Sequence, residues 1–234
     1  MKFEKITAFY GRKRTLTNVS FTLPPKKCTV LIGKNGCGKS TLLQCLAGQL
    51  PCSGEIPLPR DPRERAKKVA YLPQFLPAVP MEAEALVAMG RTPYLNVAGV
   101  QTPADTEKIE QAITLTDIEG LRHRRVDTLS GGERQRVYLA MVLAQDTELI
   151  LLDEPTTHMD MGAAAEFMAL LHRLTERGKT VFAVLHDLNL AVNHADQLLL
   201  MEEGQLTDPA RIEEVFGVKK YSGTDGEKTV FFYR

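Results

Sequence analysis

The stretch Gly33 to Ser40, GKNGCGKS, satisfies the pattern G-x-x-x-x-G-K-[ST]. Glycines at 33, 36 and 38 let the backbone curl so that the N–H groups of Lys34, Asn35, Gly36, Cys37 and Gly38 face phosphate oxygens. A helix opening at Lys39 adds the positive end of its dipole. Lys39 then reaches the terminal phosphates, Ser40 holds Mg²⁺ and Thr41 bonds the inner phosphates. Further on, Leu149 to Pro155 (LILLDEP) is an apolar run that delivers two acids. Asp153 at a strand end is placed to orient Mg²⁺, and Glu154 to accept the proton of an attacking water. A solvated acidic turn would look the same without the glycine loop upstream.

Four further residues have more than one reading. His186, after TVFAVL, either packs or donates to a terminal phosphate. Gln74, in YLPQ, is placed to touch the metal or the water. Tyr10 either stacks on a nucleotide base or is a half-buried strand tyrosine. Cys37 is either a small residue that fits the loop or a thiol activated by the helix end. A second anion-binding tip is written at Leu129 to Arg136 (LSGGERQR): Ser130, Gly131 and Gly132 precede a helical run and offer a hydroxyl and bare N–H groups. The sequence holds two such tips but one glycine-rich lysine loop.

The elements that must position these groups alternate. LTNVSFTL and KCTVLI read as strands, Leu42, Leu43 and Leu46 share a helix face, and VAYLP is again strand-like, the clearest of several such pieces between Gly54 and Leu72. Residues 77–147 carry helical spacing broken by Pro and Gly, with no convincing strand. LILL, a helix from about Gly162 to Arg177, TVFAVLH, a short helix and DQLLLME follow. Strand–helix alternation predicts a parallel sheet with right-handed crossovers, into which the helical segment is inserted.

Composition narrows the classes. Apolar content of 44% with 25% charged residues suits an ordinary globular protein. Acidic and basic residues balance at 29 each, so no global field draws in nucleic acid. No apolar run is long enough to span a bilayer, and MKFEKITAFYG lacks the apolar centre of a secretion signal. A cytoplasmic location follows, with membrane contact borrowed from a partner. Cys28, Cys37, Cys45 and Cys52 form no C-x-x-C pair, which favours free thiols in a reduced compartment.

In this order, Tyr10, the lysine loop, Gln74, LSGG, the Asp153–Glu154 pair, Asp160 and His186 resemble the nucleotide-binding domain of ABC transporters over nearly the whole chain. The resemblance implies an α/β P-loop NTPase fold: a RecA-like parallel core with an antiparallel β part (1–76 and 148–234) and an inserted helical subdomain (77–147). It implies ATP and Mg²⁺ as ligands. It also implies a head-to-tail pair of copies in which each ATP lies between one copy's loop and the other's Ser130 tip. GRTPYL and LHDLNLAVNHADQLLLMEEGQL resemble the importers of iron-siderophores, haem and vitamin B12, which adds a separate permease and, indirectly, a substrate-binding protein, on the inner face of the membrane. THMD departs from the family's D-loop pattern, and His158 within it is expected at the surface. The tail YSGTDGEKTVFFYR carries no obvious regulatory domain. Soluble relatives acting on DNA or ribosomes, exporters, and non-hydrolysing ATP-gated scaffolds share these motifs and are the competing readings.

Overall fold

The computed structural model describes residues 1–96, 99–157, 159–225 and 228–233; His158 lies outside them. In chain order the elements are β1 (Lys2–Tyr10), β2 (Lys13–Thr22), β3 (Cys28–Gly33), α1 (Lys39–Ala47), β4 (Cys52–Glu55), α2 (Pro62–Ala66), β5 (Val69–Leu72), α3 (Ala83–Ala88), α4 (Pro103–Leu115) and α5 (Gly131–Ala144). Then come β6 (Leu149–Asp153), α6 (Met161–Glu176), β7 (Thr180–Val184), α7 (Leu188–His194), β8 (Gln197–Glu202), β9 (Gln205–Thr207), α8 (Ile212–Phe216), β10 (Lys220–Asp225) and β11 (Lys228–Tyr233).

The main sheet has the order β5-β6-β7-β3-β8-β9, parallel except for the β8–β9 hairpin at one edge. Its central strands are apolar on both faces because both faces are covered. Alternate residues enter two cores. Val30, Ile32, Ile150, Leu152, Val181 and Ala183 face the side of α6 and the helical segment. Leu31, Leu149, Leu151, Phe182 and Val184 face α1 and the antiparallel sheet β2-β1-β4, where Phe3, Ile6 and Leu16 are fully buried. Each of these side chains larger than alanine contributes roughly 1.5–3 kcal/mol through burial.

Residues 77–147 hold α3, α4 and α5 with short 3₁₀ turns, and a single β-bridge, Glu82 to Arg125, among the described residues. One buried ion pair knits these helices together. Arg91 Nε donates to Asp105 Oδ1 at 2.8 Å and Nη1 to the Ala144 carbonyl at 2.8 Å, while its guanidinium lies 3.9 Å from the Tyr94 ring centroid. Asp105 also accepts from the Thr102 N–H and hydroxyl, which completes the capping box of α4. The preceding Gly90 lies so close to the Met141 carbonyl that a Cβ would overlap it.

Two features depart from the sequence reading. The stretch read as strand pieces after Gly54 contains α2, started by Pro62 in its first turn and by Asp61, whose side chain accepts the Glu64 N–H. The tail folds back as the β10–β11 hairpin against α7, where Asn193 bonds both the N–H and the carbonyl of Phe231, and Asn189 accepts the Tyr233 N–H. Side-chain amides standing in for a strand edge leave no hydrophobic periodicity to read.

Candidate functional site

Four neighbouring parallel strands, β5, β6, β7 and β3, end on the same side, and each releases one part of the site. Open α/β sheets bind ligands at these carboxyl ends. The glycine loop leaves β3 and turns into α1 through Gly36 (φ +77°) and Gly38 (φ +111°), backbone states that side-chain-bearing residues rarely adopt. A Cβ at Gly36 would meet nothing within 4 Å, so the cradle is open above it. Gly38 caps α1 with no side-chain bond, which leaves the first N–H groups of that helix for a ligand. Lys39 is buried, its Nζ donating to the carbonyls of Gly33 and Lys34 at 2.8 and 3.0 Å.

Asp153 ends β6 and is buried. It accepts from Ser40 Oγ at 3.0 Å and from the Tyr71 hydroxyl at 3.1 Å. Burial pushes its carboxyl above the usual range, against the pull of those two bonds. Two hard oxygen donors in contact, one of them a buried acid, fit a small divalent cation such as Mg²⁺. Glu154 follows with φ +50°, a left-handed state that costs a non-glycine residue about 1–2 kcal/mol. Its N–H is held by the Val184 carbonyl. Gln74 Nε2 donates to Glu154 Oε2 at 2.6 Å, and His186 Nε2 lies 2.7 Å from Oε1. The three side chains thus form one chain of contacts at the rim of a cleft of about 350 Å³, which Lys39, Ser40, Thr41 and Thr15 also line.

Not every expected residue joins them. Gln74 turns its amide nitrogen to Glu154, not to the Ser40–Asp153 pair. Tyr10 stands at the end of β1 and is 72% exposed, not half-buried, and it is not among the described residues lining the cleft. Ser130, Gly131 and Gly132 are exposed at the start of α5, and Ser130 and Gly132 border a different hollow. The Ser130 hydroxyl accepts the Glu133 N–H and its own N–H donates to Glu133, so the tip is preformed. Cys37 is buried, and burial pushes its thiol up against the pull of Lys39 and the loop backbone, which speaks for the small residue that fits the loop. Asp160 caps α6 through the Ala163 N–H.

Tyr71 was not legible as a site residue. It lies within the same VAYLPQ run as Gln74, but a strand tyrosine carries no chemical signature until β5 is seen beside β6. The same holds for two clamps between the helical segment and the site. Tyr138 donates to the Pro77 carbonyl beyond Gln74, and Gln135 to the Pro155 carbonyl beyond Glu154, both at 2.8 Å.

A central strand feeding a lysine-bearing glycine loop, with an acidic pair two strands away, defines a P-loop ATPase. Residues 16–157 match the family model described as ABC transporter, and the chain belongs to that family, as an ATP-hydrolysing, nucleotide-binding subunit. It is 40% identical over 222 residues to the "Probable siderophore transport system ATP-binding protein YusV" of Bacillus subtilis (strain 168), covering 91% of this chain and 80% of that protein. The solved structure described as "An inward-facing conformation of a putative metal-chelate type ABC transporter" shares its fold, with a TM-score of 0.86, 24% identity, and coverage of 100% of this chain and 96% of the other. The ATP-binding cassette MJ0796, a dimer in a post-hydrolysis state bound to ADP and Pi, is 26% identical with a TM-score of 0.77, over 88% of this chain and 96% of that one. No helix among the described residues is long and apolar enough to cross a membrane.

Proposed function

We propose that this chain hydrolyses ATP to power uptake of a metal chelate, of the iron-siderophore, haem or cobalamin kind, through a separate permease at the inner face of the membrane. The contact of Glu154 with both Gln74 and His186 at the mouth of the glycine loop carries the catalytic half of the reading. The siderophore relative supports the substrate class. The loop N–H groups from Lys34 to Gly38, with Lys39 and Thr41, hold the phosphates, and Tyr10 stacks on the base. Ser40 and Asp153 would hold Mg²⁺, with Gln74 next to them on Glu154, and the bound ion would neutralise phosphate charge. Glu154 takes the proton of the water whose oxygen attacks the γ-phosphorus as the β–γ bridging bond breaks. His186 donates to the γ-phosphate and registers its loss.

The exposed Ser130–Gly132 tip serves the loop of a second copy, placed head to tail. ATP then favours the closed pair because its γ-phosphate meets Lys39 and His186 in one copy and Ser130 in the other, a difference that must reach several kcal/mol to drive a switch. The helical segment, clamped to the site through Pro77 and Pro155, transmits closure to the permease, which a substrate-binding protein loads from the other side.

Mixing two inactive variants tests the pairing. Lys39→Ala and Ser130→Glu are each expected to lose turnover alone. Mixed, they form pairs with one intact composite site and regain part of the activity. Failure of the mixture to exceed either preparation, with pairs formed, would sink the composite site.

A further inference from the structure

The inner face of the glycine loop is open toward the cleft, and its outer face is held. The holder is the two-residue turn Glu203–Gly204, which joins β8 to β9 at the carboxyl end of β8. Both residues have positive φ, +46° and +77°, the turn geometry that suits a tight antiparallel hairpin. Arg211 braces this hairpin, its Nη1 donating to Glu202 Oε2 at 3.1 Å on one strand and to Thr207 Oγ1 at 3.0 Å on the other.

Three backbones meet at the turn. The Gly204 N–H donates to the Cys37 carbonyl at 2.9 Å, and the Gly204 carbonyl accepts the Thr17 N–H at 2.9 Å. One residue thus bridges the glycine loop to β2. The approach leaves no room for a side chain: a Cβ on Gly204 would overlap the Thr15 carbonyl, and a Cβ on Gly38 would lie 2.9 Å from that same carbonyl. The Cys37 carbonyl and the Gly38 N–H belong to one planar trans peptide, so they point in opposite directions. A donor that holds the carbonyl outward therefore aims the N–H inward. That N–H meets no acceptor among the described residues, at the point where the loop becomes α1.

We propose that Gly204, outside every nucleotide-contacting motif, is a positioning residue for ATP binding: its N–H fixes the Cys37–Gly38 peptide so that the Gly38 N–H stands ready for a phosphate oxygen. Without that bond the peptide turns more freely, because Gly38 has no Cβ to restrain it. ATP must then order the loop as it binds, and its affinity falls. The inference rests on the glycine loop being the phosphate seat.

Gly204→Ala drives a Cβ into the Thr15 carbonyl and should break the bond to Cys37. The Kd for ATP should rise about tenfold, the effect of one lost hydrogen bond. Because Glu154 follows a different strand, kcat at saturating ATP should stay within about threefold of wild type. Gly54→Ala is the matched control: φ there is +111°, and its Cβ would lie 2.6 Å from the Glu4 carbonyl, in β4. It should lower the Tm comparably and leave the Kd for ATP unchanged. Lys39→Ala reports on the seat itself; unchanged ATP affinity there would remove the seat and this inference together. Weaker binding in Lys39→Ala with an unchanged Kd in folded Gly204→Ala, or equal losses of affinity in Gly204→Ala and Gly54→Ala, would overturn the role of Gly204 alone. Wild-type protein supplies a test that needs no variant. Tripolyphosphate, which has no base or ribose to touch the turn, should slow amide exchange at Gly204 together with residues 33–40. Slowed exchange in the loop with none at Gly204 would overturn the proposal.

Discussion

Arg91→Ala is expected to unfasten the helical segment from within. The Arg91 and Asp105 side chains are only 7% and 5% exposed, so neither charge finds water when its partner is removed. Breaking a buried pair from one side costs about 3–5 kcal/mol. Asp105 keeps its two bonds from Thr102, which places this case at the low end, about 3 kcal/mol. The orphaned Ala144 carbonyl adds about 1 kcal/mol. The lost stacking on Tyr94 adds a comparable amount at a desolvated site, roughly 1 kcal/mol. The sum, about 5 kcal/mol, corresponds to a Tm lower by roughly 10–20 °C in a domain of this size. The chain has no tryptophan, so urea unfolding is best followed by far-UV circular dichroism. Repeating Arg91→Ala in an Asp105→Asn background should cost about 1–2 kcal/mol less, because the stranded charge is gone. A single-variant loss under about 1 kcal/mol, or an equal loss in both backgrounds, would show that the pair does not hold these helices.

Glu154→Gln should retain ATP binding while turnover falls about 10²–10⁴-fold, measured by phosphate release; hydrolysis at the wild-type rate would exclude Glu154 as the base. Gly90→Ala should push the turn at Gly90 away from α5 and cost about 1–3 kcal/mol of stability, with calorimetry as the check. Tyr71→Phe removes one of the two donors to Asp153 and should raise the Mg²⁺ concentration needed for half-maximal activity by up to about tenfold, the worth of one hydrogen bond. The bonds from the Thr102 hydroxyl and N–H, with Arg91, hold Asp105 at about 2, below its ordinary 3.8. A depressed acid stabilises the fold above its unfolded pKa and loses that contribution as pH falls through the folded one. The stability difference between wild type and Asp105→Asn should therefore be constant above about pH 5 and shrink between about pH 4 and 2; a difference that grows on acidification would reverse the assignment.

The parallel core was legible because its strands are covered on both faces: CTVLIG, LILLD and TVFAV are continuous apolar runs, each followed by chemistry at its carboxyl end. Adjacency was not. Nothing in the order of residues says that β7 lies between β3 and β6, which is what sets His186 against Glu154. The meeting of Gln74 with Glu154, eighty positions apart, likewise depends on β5 pairing with β6 across the whole helical segment. Tyr71 was invisible for the same reason. The short helix α2 was missed because its signal is capping by Asp61 and Pro62 and not periodicity. GRTPY, read only as a family likeness, is physically a close approach at Gly90 followed by the buried Arg91 and its stacking partner Tyr94.

Because β5 is the outermost strand on its side of the main sheet, the helices between β5 and β6 double as its guard rail. Gln145 of that segment occupies the Val69 carbonyl with its amide nitrogen. An excised core lacking residues 77–147 would bare a row of unmet backbone groups along an apolar rim. Such a rim recruits strands from neighbouring molecules. A minimal ATPase trimmed in this way should precipitate as strand-paired aggregates, whatever its affinity for nucleotide.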